Sequence, residues 1–295
     1  MKIIQRYPLA AFFTIAFAIT WTLQLTGIFL ATRQNMVLSN EANFLHFLSL
    51  LKAELPPSQF LAYGLFTLGA GPLFSAILVT WMLEGEDGLR ALWQQSTKWN
   101  VDVKWYLIAL GLPVLLSLAS VGIGLFSAGG KLAYNFKLPP GSFIPFFLYM
   151  LVFTGIAEEP GWRGFALPRL QSRYNAEKAS WVLGILWGVW HFPFIIYYNY
   201  QAGAGPLLSS LLGLTLGIVG WTIVNTWLYN NTGSVLIMIL LHGWGNAVQS
   251  YLVLSSNNYA AQTLYGILPW VMAIILLRIY GKENLAHHTR PQIHD

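Results

Sequence analysis

The chain reads as an all-α, polytopic transmembrane helix bundle of about eight spans with a polar site between helices. Three observations predict this. Hydrophobic residues make up 56% of the 295 and charged residues only 9%, whereas an average soluble domain is about 25% charged. Apolar runs recur at 9–31, 59–83, 105–127, 142–157, 179–199, 206–229, 233–254 and 260–280, each near the ~20 residues a helix needs to cross a bilayer. Lys and Arg collect at the ends of these runs rather than in one patch. Such placement orients a protein in a lipid bilayer and argues against nucleic acid as a partner, despite the net charge of +5.

In chain order, the first run follows Lys2 and Arg6 and is longer than a typical signal-peptide core. No small-residue cleavage site stands out, so a retained anchor is expected. Residues 44–51 (FLHFLSLL) are too short to span, and either lie in the interface or open the second hairpin. The stretch 84–104 is the most polar. Its Leu89, Leu92, Trp93 and Trp99 suit either a membrane-surface segment or an ordinary loop. The run at 142–157 is short at its charged end. Three regions follow from this pattern: N-terminal transmembrane helices (1–140), a core holding the polar residues (141–255), and a last helix with a basic tail (256–295). No linker separates them, so one integral membrane domain is expected.

Eight spans put both termini on one side. That side would hold twelve of the sixteen Lys and Arg: Lys2, Arg6, Arg90, Lys98, Lys104, Arg163, Arg169, Arg173, Lys178, Arg278, Lys282 and Arg290. Arg33, Lys52, Lys131 and Lys137 fall on the other. The bias places both termini in the cytoplasm of a multi-pass cell-membrane protein.

Ionisable residues inside a membrane are expensive and mark function. Of the eleven acids, nine fall in expected loops or tails: Glu41, Glu54, Glu84, Glu86, Asp87, Asp102, Glu177, Glu283 and Asp295. Glu158 and Glu159 instead abut an apolar span. Of the six histidines, His287, His288 and His294 are in the tail and His46 is in the short segment. His191 and His242 lie well inside apolar runs. Either histidine alone reads equally well as one packed against a neighbouring helix. Together with Arg163 and Asn246, these residues come from three segments and can satisfy one another in one shared site.

Spacing adds detail. Glu159 and Arg163 are four apart, share a helix face and can pair. Glu158 then points elsewhere. His242 and Asn246 are also four apart, on one stripe. Pro160 disfavours helical geometry at Glu159, so a kink or a fresh helix start is expected there.

A carboxylate near an imidazole can hold and deprotonate a water. A second imidazole with a carboxamide can donate to a developing oxyanion. Alternatively Glu158, His191 and His242 could bind one zinc ion with a position left for water. No cofactor is the first expectation, and the metal reading stays open. The absence of cysteine excludes disulfides, thiolate nucleophiles and Cys-type zinc sites. There is no HExxH, no GxSG, and no Asp in an apolar run for an aspartyl dyad.

Three motifs stand in order on three of these runs. GIAEEPGWRGFALPRLQ contains EExxxR followed by Gly, LWGVWHFP contains WxxxH from Trp187 to His191, and LHGWGNA contains HxxxN. Over roughly residues 142–255 the chain resembles the CPBP family of intramembrane proteases. That family includes type II CAAX prenyl endopeptidases and proteins of the abortive-infection and bacteriocin-processing type. Trp187 stands where the family often has Phe, and Pro160 fits a branch reading EExGWRG. The resemblance implies an intramembrane endopeptidase acting on a membrane-embedded or membrane-anchored peptide or protein. In that reading Glu158 and His191 activate water, and His242 and Asn246 form the oxyanion hole. Glu159 and Arg163 hold the first motif in shape, with Trp187 in support. A catalytically silent scaffold or immunity protein of the same fold is the alternative, and a transporter is a more distant one, since a carrier should show matched broken halves.

Overall fold

The computed structural model describes residues 2–127, 129–130 and 134–289. Of the charges counted above, Lys131 and Arg290 lie outside the described residues, as do His294 and Asp295. After a short helix Lys2–Arg6 come α1 (Pro8–Arg33), α2 (Asn40–Leu51), α3 (Pro57–Thr67), α4 (Gly71–Ser96) and α5 (Val103–Ser127). They are followed by α6 (Pro140–Gln171), α7 (Ala176–Trp190), α8 (Phe192–Ala202), α9 (Ala204–Thr232), α10 (Val235–Ser256) and α11 (Tyr259–Tyr280). Among the described residues there is no strand.

Among the described residues, six helices are long and apolar enough to cross a membrane alone. Two bent pairs, α3 with α4 at 56° and α7 with α8 at 47°, raise the count to eight. All eight expected runs are therefore helical, and the chain is a multi-pass membrane protein. Its outer faces carry large apolar side chains without protein cover, such as Leu115, Phe126, Leu212 and Ile275, the surface that lipid solvates at no cost.

Local chemistry sets the boundaries. Ser39, Asn175, Ser234 and Asn258 each accept a backbone N–H through the side chain at the start of α2, α7, α10 and α11, satisfying donors that the first helical turn leaves orphaned. Gly233 takes a left-handed φ of 58° after α9, a conformation glycine adopts without penalty. Only Gly233 and Ser234 separate α9 from α10.

Several expectations need correction. Residues 44–51 belong to a separate helix, α2. The polar stretch from 84 is not a loop: the chain kinks at Gly85, whose φ of 64° is non-helical, and a second helical stretch of α4 runs on to Ser96. Trp93 and Trp99 are exposed there, but Leu92 is buried; a Cβ on Gly164 would lie 2.6 Å from its Cδ1. Glu84 is helical and pairs with Arg169, and Glu41 is buried in the first turn of α2.

The run at 142–157 does not stop at its charged end but continues as α6 to Gln171. Pro160 does not restart it. Glu159 keeps φ −65° and ψ −35°, and residues 160–166 form π-helical turns, as do 151–156. The wider turns accommodate the missing donor and the ring of Pro160, which a regular α-helix would not.

Glycines set how closely helices approach. A Cβ on Gly155 would lie 2.7 Å from the Ile239 carbonyl oxygen, and one on Gly243 would lie 2.7 Å from Leu151 Cα. Small residues thus let α6 and α10 touch backbone to backbone. That contact brings the EExxxR and HxxxN motifs together.

Candidate active site

Glu158 and Glu159 are adjacent on α6 and both buried, yet their surroundings differ. Both oxygens of Glu159 accept from Arg163 Nη1, at 2.8 and 3.0 Å. His242 Nδ1 lies 2.8 Å from Glu159 Oε1. Arg163 is fully buried, and its guanidinium carbon sits 4.3 Å from the Trp187 ring centroid. Arg163 is therefore a partner inside the protein and not a charge flanking a span. Removing it from the charge count leaves the bias of Lys and Arg in the same direction.

Glu158 Oε2 accepts from two indoles, Trp162 Nε1 at 3.1 Å and Trp187 Nε1 at 2.8 Å. Among the described residues nothing donates to Oε1. The two carboxylates thus diverge as the spacing predicts: Glu159 faces Arg163 and His242, while Glu158 faces a cavity.

His191 sits at the break between α7 and α8. Pro193 enters α8 there without a backbone donor. His191 Nδ1 lies 2.8 Å from the Trp187 carbonyl oxygen. A carbonyl can only accept, so Nδ1 carries the proton and Nε2 of the neutral ring is an acceptor. The same logic places a proton on His242 Nδ1, because its partner is a carboxylate. Asn246 Nδ2 donates to Thr154 Oγ1 at 3.2 Å, and that hydroxyl donates to the Met150 carbonyl at 2.6 Å. An amide nitrogen carries two N–H bonds, so one remains.

Trp187 ties the elements together. Its ring centroid is 5.5 Å from that of His242 and 6.0 Å from that of His191, while its N–H holds Glu158. A cavity of about 1240 Å³ opens on this group, lined by Glu158, Trp187, His191, His242 and Asn246. Arg163 and Glu159 sit behind its wall.

Among the described residues no three His, Asp or Glu side chains are grouped as metal ligands, and both Nδ1 atoms are engaged by protein acceptors. Those contacts leave both Nε2 atoms free, an arrangement that suits a bound water and a metal alike, and no chemical step is derived through a metal.

Residues 140–248 match the family described as Type II CAAX prenyl endopeptidase Rce1-like. A CAAX prenyl protease 2 of Methanococcus maripaludis is 33% identical over 177 residues, 58% of this chain and 61% of that protein. Over this stretch the chain resembles the Rce1-like family. It spans 61% of that relative's length. The Rce1-like stretch takes in α6, α7, α8, α9 and most of α10, hence every residue of the cavity group named above.

Sequence reasoning missed two residues that hold this group. Trp162 stands four residues after Glu158, the spacing that shares a helix face. That signal could have found it. Thr154, which anchors Asn246 from another helix, leaves no trace in local spacing.

Trp187→Phe offers a direct probe. It keeps the ring and removes one of the two N–H donors on Glu158. A hydrogen bond to a charged group is worth about 1.5–3 kcal/mol, so kcat/KM should fall at least about tenfold with the fold unchanged. A fall below about twofold would mean that Trp162 alone holds the carboxylate.

Proposed function

We propose that the chain is an intramembrane endopeptidase in which Glu158 and His191 activate a water. One observation carries this reading. Glu158 is a buried carboxylate with one oxygen gripped by two indoles and the other left toward a cavity that His191 also lines. A water there would donate to Glu158 Oε1 and to the acceptor Nε2 of His191. Glu158 takes a proton from the water as its oxygen forms a bond to the amide carbon. The carbonyl oxygen becomes an oxyanion, which accepts from the spare N–H of Asn246 and from His242 Nε2. The latter donates only when the ring is an imidazolium, whose charge the Glu159 carboxylate neutralises. Glu158 returns the proton to the leaving nitrogen as the C–N bond breaks, completing hydrolysis without a covalent intermediate.

The proposed substrate is a membrane-associated peptide or protein, of a CAAX type as in the relative's name or of a leader-peptide type. Full-length protein in liposomes, offered an S-farnesylated CAAX-box peptide and an unprenylated apolar leader peptide, should cleave at least one. Cleavage of neither would favour the catalytically silent reading.

No cofactor is proposed. Cleavage should persist in excess chelator at neutral pH. Complete loss in chelator, reversed by zinc at fixed pH, would overturn that choice while leaving hydrolysis intact, because protons and chelator both compete for metal ligands.

The proposed topology places both termini in the cytoplasm. Reporter fusions after Gly281 and after Gly130 should report opposite sides, the first cytoplasmic. The same side for both would refute eight spans.

A further inference from the structure

The cavity is lined well beyond the residues of the proposed chemistry. Among the described residues, five that line this cavity, Gln24, Asn43, Thr67, Trp190 and Asn225, hold buried side-chain polar atoms without a well-formed hydrogen bond; the Thr67 hydroxyl lies near those of Tyr63 and Tyr149. Buried polar groups are nearly always paired, because leaving one unpaired costs about 1–3 kcal/mol. Such groups around a cavity are expected where a ligand completes the pairing.

Three of the five come from the N-terminal helices, outside the Rce1-like stretch. Gln24 is on α1, Asn43 on α2 and Thr67 on α3. All three line the cavity. Gln24 lies over the break between α3 and α4, where a Cβ on Gly69 would meet its Cγ at 3.1 Å. Next to Asn43, Phe44 packs on Tyr149 with centroids 5.6 Å apart, and Phe47 does so at 5.5 Å. Tyr149 lines the cavity with them. Asn43 is 4% exposed, so its amide is held in place by packing.

The chemistry of these groups selects a ligand. Two carboxamides and a hydroxyl carry no charge, and each can both donate and accept. An apolar lipid chain would leave them unpaired. An extended peptide backbone presents alternating N–H and C=O groups and would satisfy them whatever its side chains. Tyr149 precedes Glu158 by nine residues along α6, about 13 Å at the helical rise. An extended peptide covers that span in about four residues. We propose that Gln24, Asn43 and Thr67 form a subsite that hydrogen-bonds the backbone of an extended substrate about four residues from the bond that is cut. This rests on the peptidase reading and gives the N-terminal helices a part in binding.

The chain has no cysteine, so Asn43→Cys places a single thiol at the subsite. In full-length protein in detergent, a small methanethiosulfonate reagent should modify that thiol. Saturating S-farnesylated CAAX-box peptide or unprenylated apolar peptide should slow modification about tenfold or more. The same peptide shortened to end beside the scissile bond should not. Asn43→Leu should raise KM about tenfold with kcat unchanged, and N-methylation of the substrate amide four residues from the scissile bond should then cost nothing further. A thiol that is unreactive without peptide, or protected by neither full-length peptide, would overturn the subsite. Protection without cleavage would sink the peptidase reading alone, and cleavage by the parent protein without protection would sink the subsite alone.

Discussion

Replacing Glu158 with Gln is expected to leave a folded protein whose turnover has fallen by about a thousandfold or more. The argument starts from what the substitution keeps. Gln has the same shape, and its side-chain oxygen can still accept from Trp162 and Trp187, which hold Oε2 at 3.1 and 2.8 Å. Arg163 keeps both bonds to Glu159. Packing around α6 is therefore unchanged, and the melting temperature in detergent should match that of the parent protein. What disappears is the ability to take a proton. A general base contributes about 10² to 10⁴ in rate, and an amide cannot act as one near neutral pH. The defect should fall on kcat, because substrate binding does not use the proton. A stable Glu158→Gln protein that cleaves at the parental rate would refute the assignment of the base. Equal loss in a protein that no longer folds would say nothing about chemistry, so the melting temperature belongs to the same experiment.

The spans were legible because bilayer thickness imposes run length, and the apolar runs starting at 105, 206 and 260 needed only that rule. The gathering of Glu158, His191, His242 and Asn246 on one cavity was legible for a related reason. Polar residues on three apolar segments have no satisfactory neighbour but each other. Other features depended on contacts that no local pattern encodes. Pro160 is a helix breaker by its own geometry, and π turns absorb it only because α6 is packed on α4 and α10. Leu92 looked like a surface residue until Gly164 left room for it. His242 and Asn246 share a stripe by spacing, but spacing did not show that Glu159 holds His242 Nδ1 from another helix. Asn246 in turn is held by Thr154. Spacing says which groups share a face; it does not say which group the facing helix presents.

Glu159→Gln should behave quite differently from its neighbour's substitution, with a loss of stability of about 3–5 kcal/mol, the cost of stranding one partner of a buried ion pair. The amide would still offer one oxygen to Arg163 and His242, so geometry is only partly lost. The charge is lost entirely. Arg163 has no exposed surface, and two of its three nitrogens, Nε and Nη2, lack any partner among the described residues. Its positive charge is therefore compensated chiefly through Nη1 by Glu159, with the face of Trp187 adding a smaller attraction. Without the carboxylate, a cation would remain in a water-poor interior that cannot solvate it. Expression should drop and the melting temperature in detergent should fall well below that of Glu158→Gln. The double variant Glu159→Gln with Arg163→Met removes both charges and should recover much of the loss, because an apolar side chain of similar length can replace a buried ion pair at little cost. Recovery of stability should not bring back turnover, since His242 would still lack the carboxylate that favours its donating form. A Glu159→Gln protein as stable as the parent would mean that Arg163 finds another counter-charge. Rescue of both stability and turnover by the double variant would mean that Glu159 acts on the fold alone and not on His242.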